Sequence, residues 1–179
     1  MSRSHLCLCA TIAMLSACGG GGGGSASVDA AMDGESFATC LATHDGVAGY
    51  SPNQMVTSSG GTFTAILVEN VPGTPTDGNP PGAEVKGVNT WQVQLLDATG
   101  APAPGVGVAA SPYMPDHRHP TTVIPGITDQ GDGTYLMTPM YLYMSGYWEI
   151  TLSLERPDAT TDAGASVPKE TAVFKVCIP

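Results

Sequence analysis

The sequence predicts an all-β domain in which sheets pack face to face. Glycine and proline are frequent, with 23 and 15 among 179 residues, and they divide the chain into short segments. In several of these segments apolar and polar residues alternate, which is the period of a strand with one buried face. Long stretches of helical periodicity are scarce, so a helical bundle is not expected.

The first predicted strands lie in the middle of the chain. Residues 62–68 form the first strand and residues 91–96 the second, with a loop rich in proline and glycine between them. A turn region over 97–105 leads to a third strand at 106–110. We expect a short edge strand at 121–124, before the next turn.

The remaining strands follow a Gly-Asp-Gly turn at 131–133. Residues 134–137, 147–154 and 171–177 complete the set. The second of these has the clearest alternation and is predicted to be central. Its apolar face consists of Trp148, Ile150, Leu152 and Leu154. Together these short strands predict an immunoglobulin-like β-sandwich of about seven strands.

The N-terminus has the features of a secretion signal. Arg3 precedes a short apolar stretch at 6–15, which is too short to span a bilayer as a stable helix. The sequence Leu15-Ser16-Ala17-Cys18 resembles a bacterial lipobox. This resemblance implies cleavage before Cys18 and lipid on its sulfur; the alternative is a plain secretory signal.

Three regions follow from this signal. We predict a lipoprotein signal peptide at 1–17, a Gly/Ser-rich tether at 18–36 and one folded domain at 37–179. The lipid on Cys18 would then anchor the protein to a membrane of the cell envelope. Since Gly19 and not aspartate follows the lipid cysteine, analogy with other lipoproteins favours the outer membrane.

Two cysteines remain in the folded region, Cys40 and Cys177. An even number of cysteines in an oxidising compartment predicts a disulfide, here between the beginning and the end of the domain. In the alternative interpretation one of them binds a metal ion.

The segment 114–120 contains two of the four histidines of the chain. If it is extended, His117 and His119 point to the same side and could converge on one ion. Pro115 and Pro120 restrict the backbone around them. The alternative is a solvated loop with no ligand.

Several separated motifs resemble the YtkA-like domain, which is often grouped with FixH-like proteins. The motifs lie at residues 89–91, 96–100, 114–119, 133–135, 141–144 and 146–148. The resemblance covers roughly residues 60–177. It implies an exported immunoglobulin-like sandwich associated with copper handling. The family pattern is Met-Pro-x-His-Gly-His, and here Arg118 stands in the place of the glycine.

The donor types favour copper over zinc. Imidazole and thioether groups together suit copper, whereas zinc more often uses thiolates or further histidines. The predicted ligands are His117, His119, Met114 and Met144, with Asp116 as an acceptor behind them and Met140 as the alternative to Met144. His44 is interpreted as a surface residue without a partner. The remaining aromatic and thioether side chains are interpreted as packing residues; they are Tyr113, Tyr141, Tyr143, Tyr147 and Met137.

Charge and missing motifs exclude other classes of function. The formal net charge is −10 at pH 7, and such a surface repels nucleic acid. The sequence has no Gly-x-Ser-x-Gly, no HExxH and no phosphate-binding glycine loop, so we do not expect an enzyme. The predicted function is a lipid-anchored domain that sequesters copper or transfers it to an accepting protein. The alternative is a structural or protein-binding sandwich without metal.

Overall fold

The computed structural model describes residues 36–47, 53–73, 84–156 and 169–179. Within these ranges the chain forms nine strands and one short helix. The elements in chain order are α1 (Phe37–Thr43), β1 (Gln54–Thr57), β2 (Phe63–Pro72), β3 (Gly87–Asp97), β4 (Gly107–Met114), β5 (His119–Pro120), β6 (Gly126–Asp129), β7 (Thr134–Leu142), β8 (Gly146–Glu155) and β9 (Glu170–Ile178). The predicted signal peptide, Cys18 and all of the predicted tether except Ser36 lie outside these ranges.

The strands form two antiparallel sheets that pack face to face. One sheet has the order β1-β2-β3-β7-β6 and the other the order β5-β4-β8-β9. The predicted all-β sandwich is therefore confirmed, with nine strands in the described ranges instead of about seven. No helix in these ranges is long and apolar enough to cross a bilayer.

The core lies between the two sheets and contains the largest apolar side chains. Trp91 on β3 and Phe174 on β9 meet edge to face, with ring centroids 5.5 Å apart, so this contact joins the sheets. Strand β8 lies between β4 and β9, and its predicted apolar face is fully buried. Burial of each large side chain stabilises the fold by about 1.5–3 kcal/mol.

The prediction of an edge strand at 121–124 is wrong. The chain leaves the sheet after Pro120, and the next strand, β6, begins only at Gly126. Between them Thr121 donates its N–H to Pro112 O at 3.0 Å and its hydroxyl to Tyr141 O at 2.7 Å. Proline residues at 120 and 125 flank the segment and cannot donate to a sheet ladder, which is why the apolar pattern does not form a strand.

Helix α1 was not predicted, because seven residues give little periodic signal. It begins after Ser36, whose hydroxyl accepts the N–H of Thr39 at 3.3 Å as an N-cap. Cys40 and Cys177 are bonded in the structure, with their Cα atoms 5.9 Å apart, a separation compatible with the predicted disulfide. The bond fastens α1 to β9 beside the buried ring of Tyr147.

A buried carboxyl group lies just before β3. The side chain of Asn89 accepts the N–H of Val85 at 3.0 Å and donates to its carbonyl at 2.8 Å, which fixes the adjoining Glu84 in place. Glu84 is only 5% exposed, and this burial raises its pKa from 4.5 to about 7.

We expect the substitution Glu84→Gln to stabilise the protein in a pH-dependent manner. The folded pKa lies above the unfolded value, so the free energy of unfolding falls as pH rises from 4.5 to about 7. Glutamine removes that loss, with an expected gain of about 2–3 kcal/mol at pH 8 and almost none at pH 4.5. Urea unfolding at both pH values measures it, with Glu69→Gln on exposed β2 surface as the control. An equal effect of Glu84→Gln at both pH values would contradict the interpretation.

Candidate metal centre

The histidine segment forms a hairpin turn between β4 and β5. Met114 ends β4 and His119 begins β5, and these two residues are paired directly across the ladder. The N–H of Arg118 donates to Met114 O at 2.8 Å, and Arg118 has a left-handed φ of 56°. The segment is therefore not extended, because the chain must reverse direction for β5 to pair with β4.

The turn nevertheless keeps the two imidazole rings together. The ring centroids of His117 and His119 are 5.7 Å apart, with an angle of 49° between the planes. Two imidazoles bound to one ion at about 2.0–2.1 Å per nitrogen have centroids roughly 5–6 Å apart. The separation of the two rings is therefore compatible with a shared ion. His117 is exposed and His119 is half-buried, so the site lies at the rim of the sandwich.

Met114 lies opposite His119 in the β4–β5 ladder. Residues directly opposite in an antiparallel ladder point to the same face, with Cβ atoms about 4.5–5.5 Å apart. The side chain of Met114 is therefore on the same side as that of His119. Met114 is completely buried, which places a thioether on the inner side of the rim.

The other methionines separate into two groups. Met137 and Met140 lie on β7 and are fully buried in the core between the sheets. Met144 follows the end of β7 and is only half-buried against that core. Its carbonyl accepts a hydrogen bond from Trp148 Nε1 at 3.0 Å. Of the two alternatives, Met144 is the less buried, and its neighbour Tyr143 contacts His119.

Tyr143 and Trp148 surround His119, although the sequence suggested only packing roles for them. Tyr143 Oη and His119 Nδ1 are 2.9 Å apart and share a hydrogen bond. The two rings stack at 5.6 Å, and the Trp148 ring meets His119 edge-on at 6.4 Å. If Nδ1 carries the proton and donates it to Tyr143 Oη, Nε2 of His119 has the lone pair that would bind a metal ion. The alternation of Tyr141 and Tyr143 was the only signal in the sequence.

Asp116 does not contact the histidine pair in the way the sequence suggested. Its Oδ2 lies 3.0 Å from His44 Nε2, at the C-terminal end of α1. The His44 ring stacks on Tyr147 with centroids 4.0 Å apart, and its side chain is 19% exposed. The interpretation of His44 as a surface residue without a partner is therefore wrong. The sequence alone could not predict this contact, because His44 and Asp116 are far apart along the chain.

In the part of the chain that the structure describes, no three His, Cys, Asp or Glu side chains gather closely enough to hold a metal ion. Two imidazoles alone do not complete a metal site, and thioether sulfur is a further donor type that suits soft ions. Of the predicted thioethers, Met114 is fully buried at the end of β4 and Met144 is half-buried after β7.

Comparisons with known proteins agree with part of the predicted resemblance. Residues 78–153 match the model of the family described as YtkA-like. No curated protein matches the sequence. Solved structures that resemble the chain include copper-bound FetP of uropathogenic Escherichia coli. The two sequences are 11% identical, the match covers 74% of this chain and 90% of that chain, and the TM-score is 0.40. Another is copper-bound P19 of Campylobacter jejuni, with 12% identity, 74% and 97% covered, and a TM-score of 0.37. The YtkA-like resemblance is thus confirmed for residues 78–153, and the grouping with FixH-like proteins stays a prediction.

The turn allows a test of backbone strain at Arg118. Arg118→Gly and Arg118→Ala both remove the cation, but only glycine adopts a positive φ without a steric cost of about 1–2 kcal/mol. Glycine also has the greater conformational entropy in the unfolded state, which reduces its advantage. We therefore expect the glycine variant to be more stable than the alanine variant by about 1 kcal/mol. Urea unfolding of the two variants measures the difference. Equal stabilities would show that the turn adopts another conformation in solution.

Proposed function

We propose that this protein is a lipid-anchored copper-binding domain of the cell envelope, with one ion held at the β4–β5 hairpin. The single observation that supports this proposal best is the arrangement of His117 and His119, with ring centroids 5.7 Å apart and His119 paired with the buried Met114. The burial of Met114 is that of a core residue, so the two imidazoles carry the proposal.

Copper is proposed because of the donor types. Two imidazoles with one or two thioethers form a set that suits copper, and imidazoles dominate it enough to accept either oxidation state. A zinc site would call on thiolates or additional histidines. The two cysteines of the described domain are bonded to each other and so cannot supply thiolates.

The position of the ligands is compatible with sequestration or transfer. His117 is exposed at the tip of the turn, so an ion could be reached by an accepting protein without opening the core. His119 is held by Tyr143 and would keep the ion oriented. The proposed role is binding and not catalysis. Lipid at Cys18, followed by the tether, would keep the domain at a membrane, for which we propose the outer membrane.

The double substitution of His117 and His119 by alanine tests the proposed function. We expect the purified protein to bind about one copper ion and the double variant to bind none at the same concentration, because both nitrogen donors are lost. Isothermal titration or competition with a coloured chelator measures the stoichiometry. Circular dichroism should show the same fold for both, since the residues lie at the rim. Unchanged stoichiometry in the variant would end the assignment.

Conservative substitution of methionines identifies the thioether ligand. Leucine keeps the volume and apolar character of methionine but has no sulfur, so the fold should lose less than about 1.5 kcal/mol. We expect Met114→Leu to weaken copper(I) binding by about tenfold or more, and Met144→Leu to weaken it less.

Met140→Leu is the matched control, because Met140 belongs to the same buried core as Met114 but lies on β7, whereas Met114 pairs with His119 at the end of β4. Its copper affinity should equal that of the unaltered protein. If all three variants bind alike, the thioethers are packing residues and the ion rests on the imidazoles alone.

A second candidate function is suggested by apolar side chains beside the hairpin. Tyr113, Val123 and Ile124 are exposed there, and a groove of about 350 Å³ is lined by β4 residues together with Pro120 and Ile124. Such a surface suits binding of another protein. Recovery of the same partner from envelope extracts with and without a metal chelator would favour this function over copper binding.

A further inference from the structure

Helix α1 precedes the YtkA-like segment yet reaches the metal hairpin. The family match covers residues 78–153, whereas α1 spans Phe37–Thr43. Seven residues are too few to form a stable helix alone. The bond between Cys40 and Cys177 and the packing of Leu41 against Tyr147 hold it on the outer side of β8 and β9. This helix is therefore a fixed point next to a turn that is otherwise tethered only at its ends.

His44 connects the helix to the turn. Its backbone N–H donates to Cys40 O at 3.2 Å, so its position follows that of the disulfide. Its ring lies flat on Tyr147, with a 14° angle between the planes, and Tyr147 is in turn fixed by a 2.7 Å hydrogen bond to Glu149. The imidazole thus has a defined orientation, with Nε2 facing Asp116 at 3.0 Å.

Asp116 is the residue immediately before His117 in the turn. Outside this contact, the turn is closed by the bonds of the Arg118 N–H to Met114 O at 2.8 Å and to Pro115 O at 3.3 Å. Arg118 also adopts a left-handed conformation that disfavours the turn. A second attachment point at Asp116 therefore restricts the part of the turn that carries His117.

We propose that α1 is a latch, in which His44 is a positioning residue that orders the turn through Asp116. The ordering does not require metal, but its effect on copper affinity rests on the proposed function. A turn ordered before binding loses less freedom when the ion binds, so the latch should raise affinity without adding a ligand.

Three variants of His44 separate its side-chain contact with Asp116 from its stacking on Tyr147. His44→Gln keeps a side-chain N–H for Asp116, His44→Phe keeps the stacking on Tyr147 but loses that N–H, and His44→Ala loses both. The first measurement uses the metal-free protein and follows the hydrogen exchange rate of the Arg118 backbone amide by NMR. We expect exchange to be about threefold to tenfold faster in the Phe and Ala variants and close to the original rate in the Gln variant.

Copper affinity provides the second readout. We expect about a threefold to tenfold loss in His44→Phe with stoichiometry unchanged, and recovery in His44→Gln. Asp116→Ala should have the same effect as His44→Phe, and the double variant should add nothing, since both remove one contact. Amides in β8 and β9 serve as controls and should exchange at their original rates.

Each result decides the proposal. Unchanged Arg118 exchange in both His44→Phe and Asp116→Ala would overturn the latch, as would a general rise that includes β8 and β9. If the unaltered protein binds no copper, the proposed function fails, while Arg118 exchange still decides whether the latch exists. Faster exchange with unchanged copper affinity would leave α1 as a support of the turn and overturn its role in binding.

Discussion

The pairing of His119 with Met114 across the β4–β5 ladder is the constraint on which the candidate site depends. This two-residue pairing reverses the chain and sets both side chains on one face of the sheet. It also fixes the span that the turn must cover, and thereby brings the His117 ring to 5.7 Å from that of His119. A shift of one residue would send the thioether and the imidazole to opposite faces.

The sandwich core supports this pairing from below. Trp148 is buried on β8, its ring edge meets His119, and its indole N–H donates to Met144 O. The same aromatic residue therefore belongs to the core and to the wall of the site. Tyr143 completes the wall by sharing a hydrogen bond with His119 Nδ1. A ligand held by such residues keeps its orientation because its neighbours are packed.

The other side of the hairpin is supported by a side-chain contact and by a covalent bond. Asp116 contacts His44, and His44 follows directly on a helix that is bonded to β9 through Cys40 and Cys177. The turn also explains why the pattern Met-Pro-x-His-Gly-His has glycine at position 118. Position 118 has a φ of 56°, which glycine adopts more easily than any other residue. Arg118 departs from the pattern and adopts this φ as a non-glycine residue.

The sequence alone determined the all-β class, the buried face of β8, the possible pairing of Cys40 with Cys177 and the donor types of the hairpin. These depend on local period, residue chemistry and cysteine number, which tertiary context changes little. Only the tertiary structure decided that residues 114–119 turn back on themselves, that Tyr143 holds His119, and that His44 binds Asp116. Such contacts join residues far apart along the chain, and their geometry is set by the packing of whole strands, which no local pattern encodes.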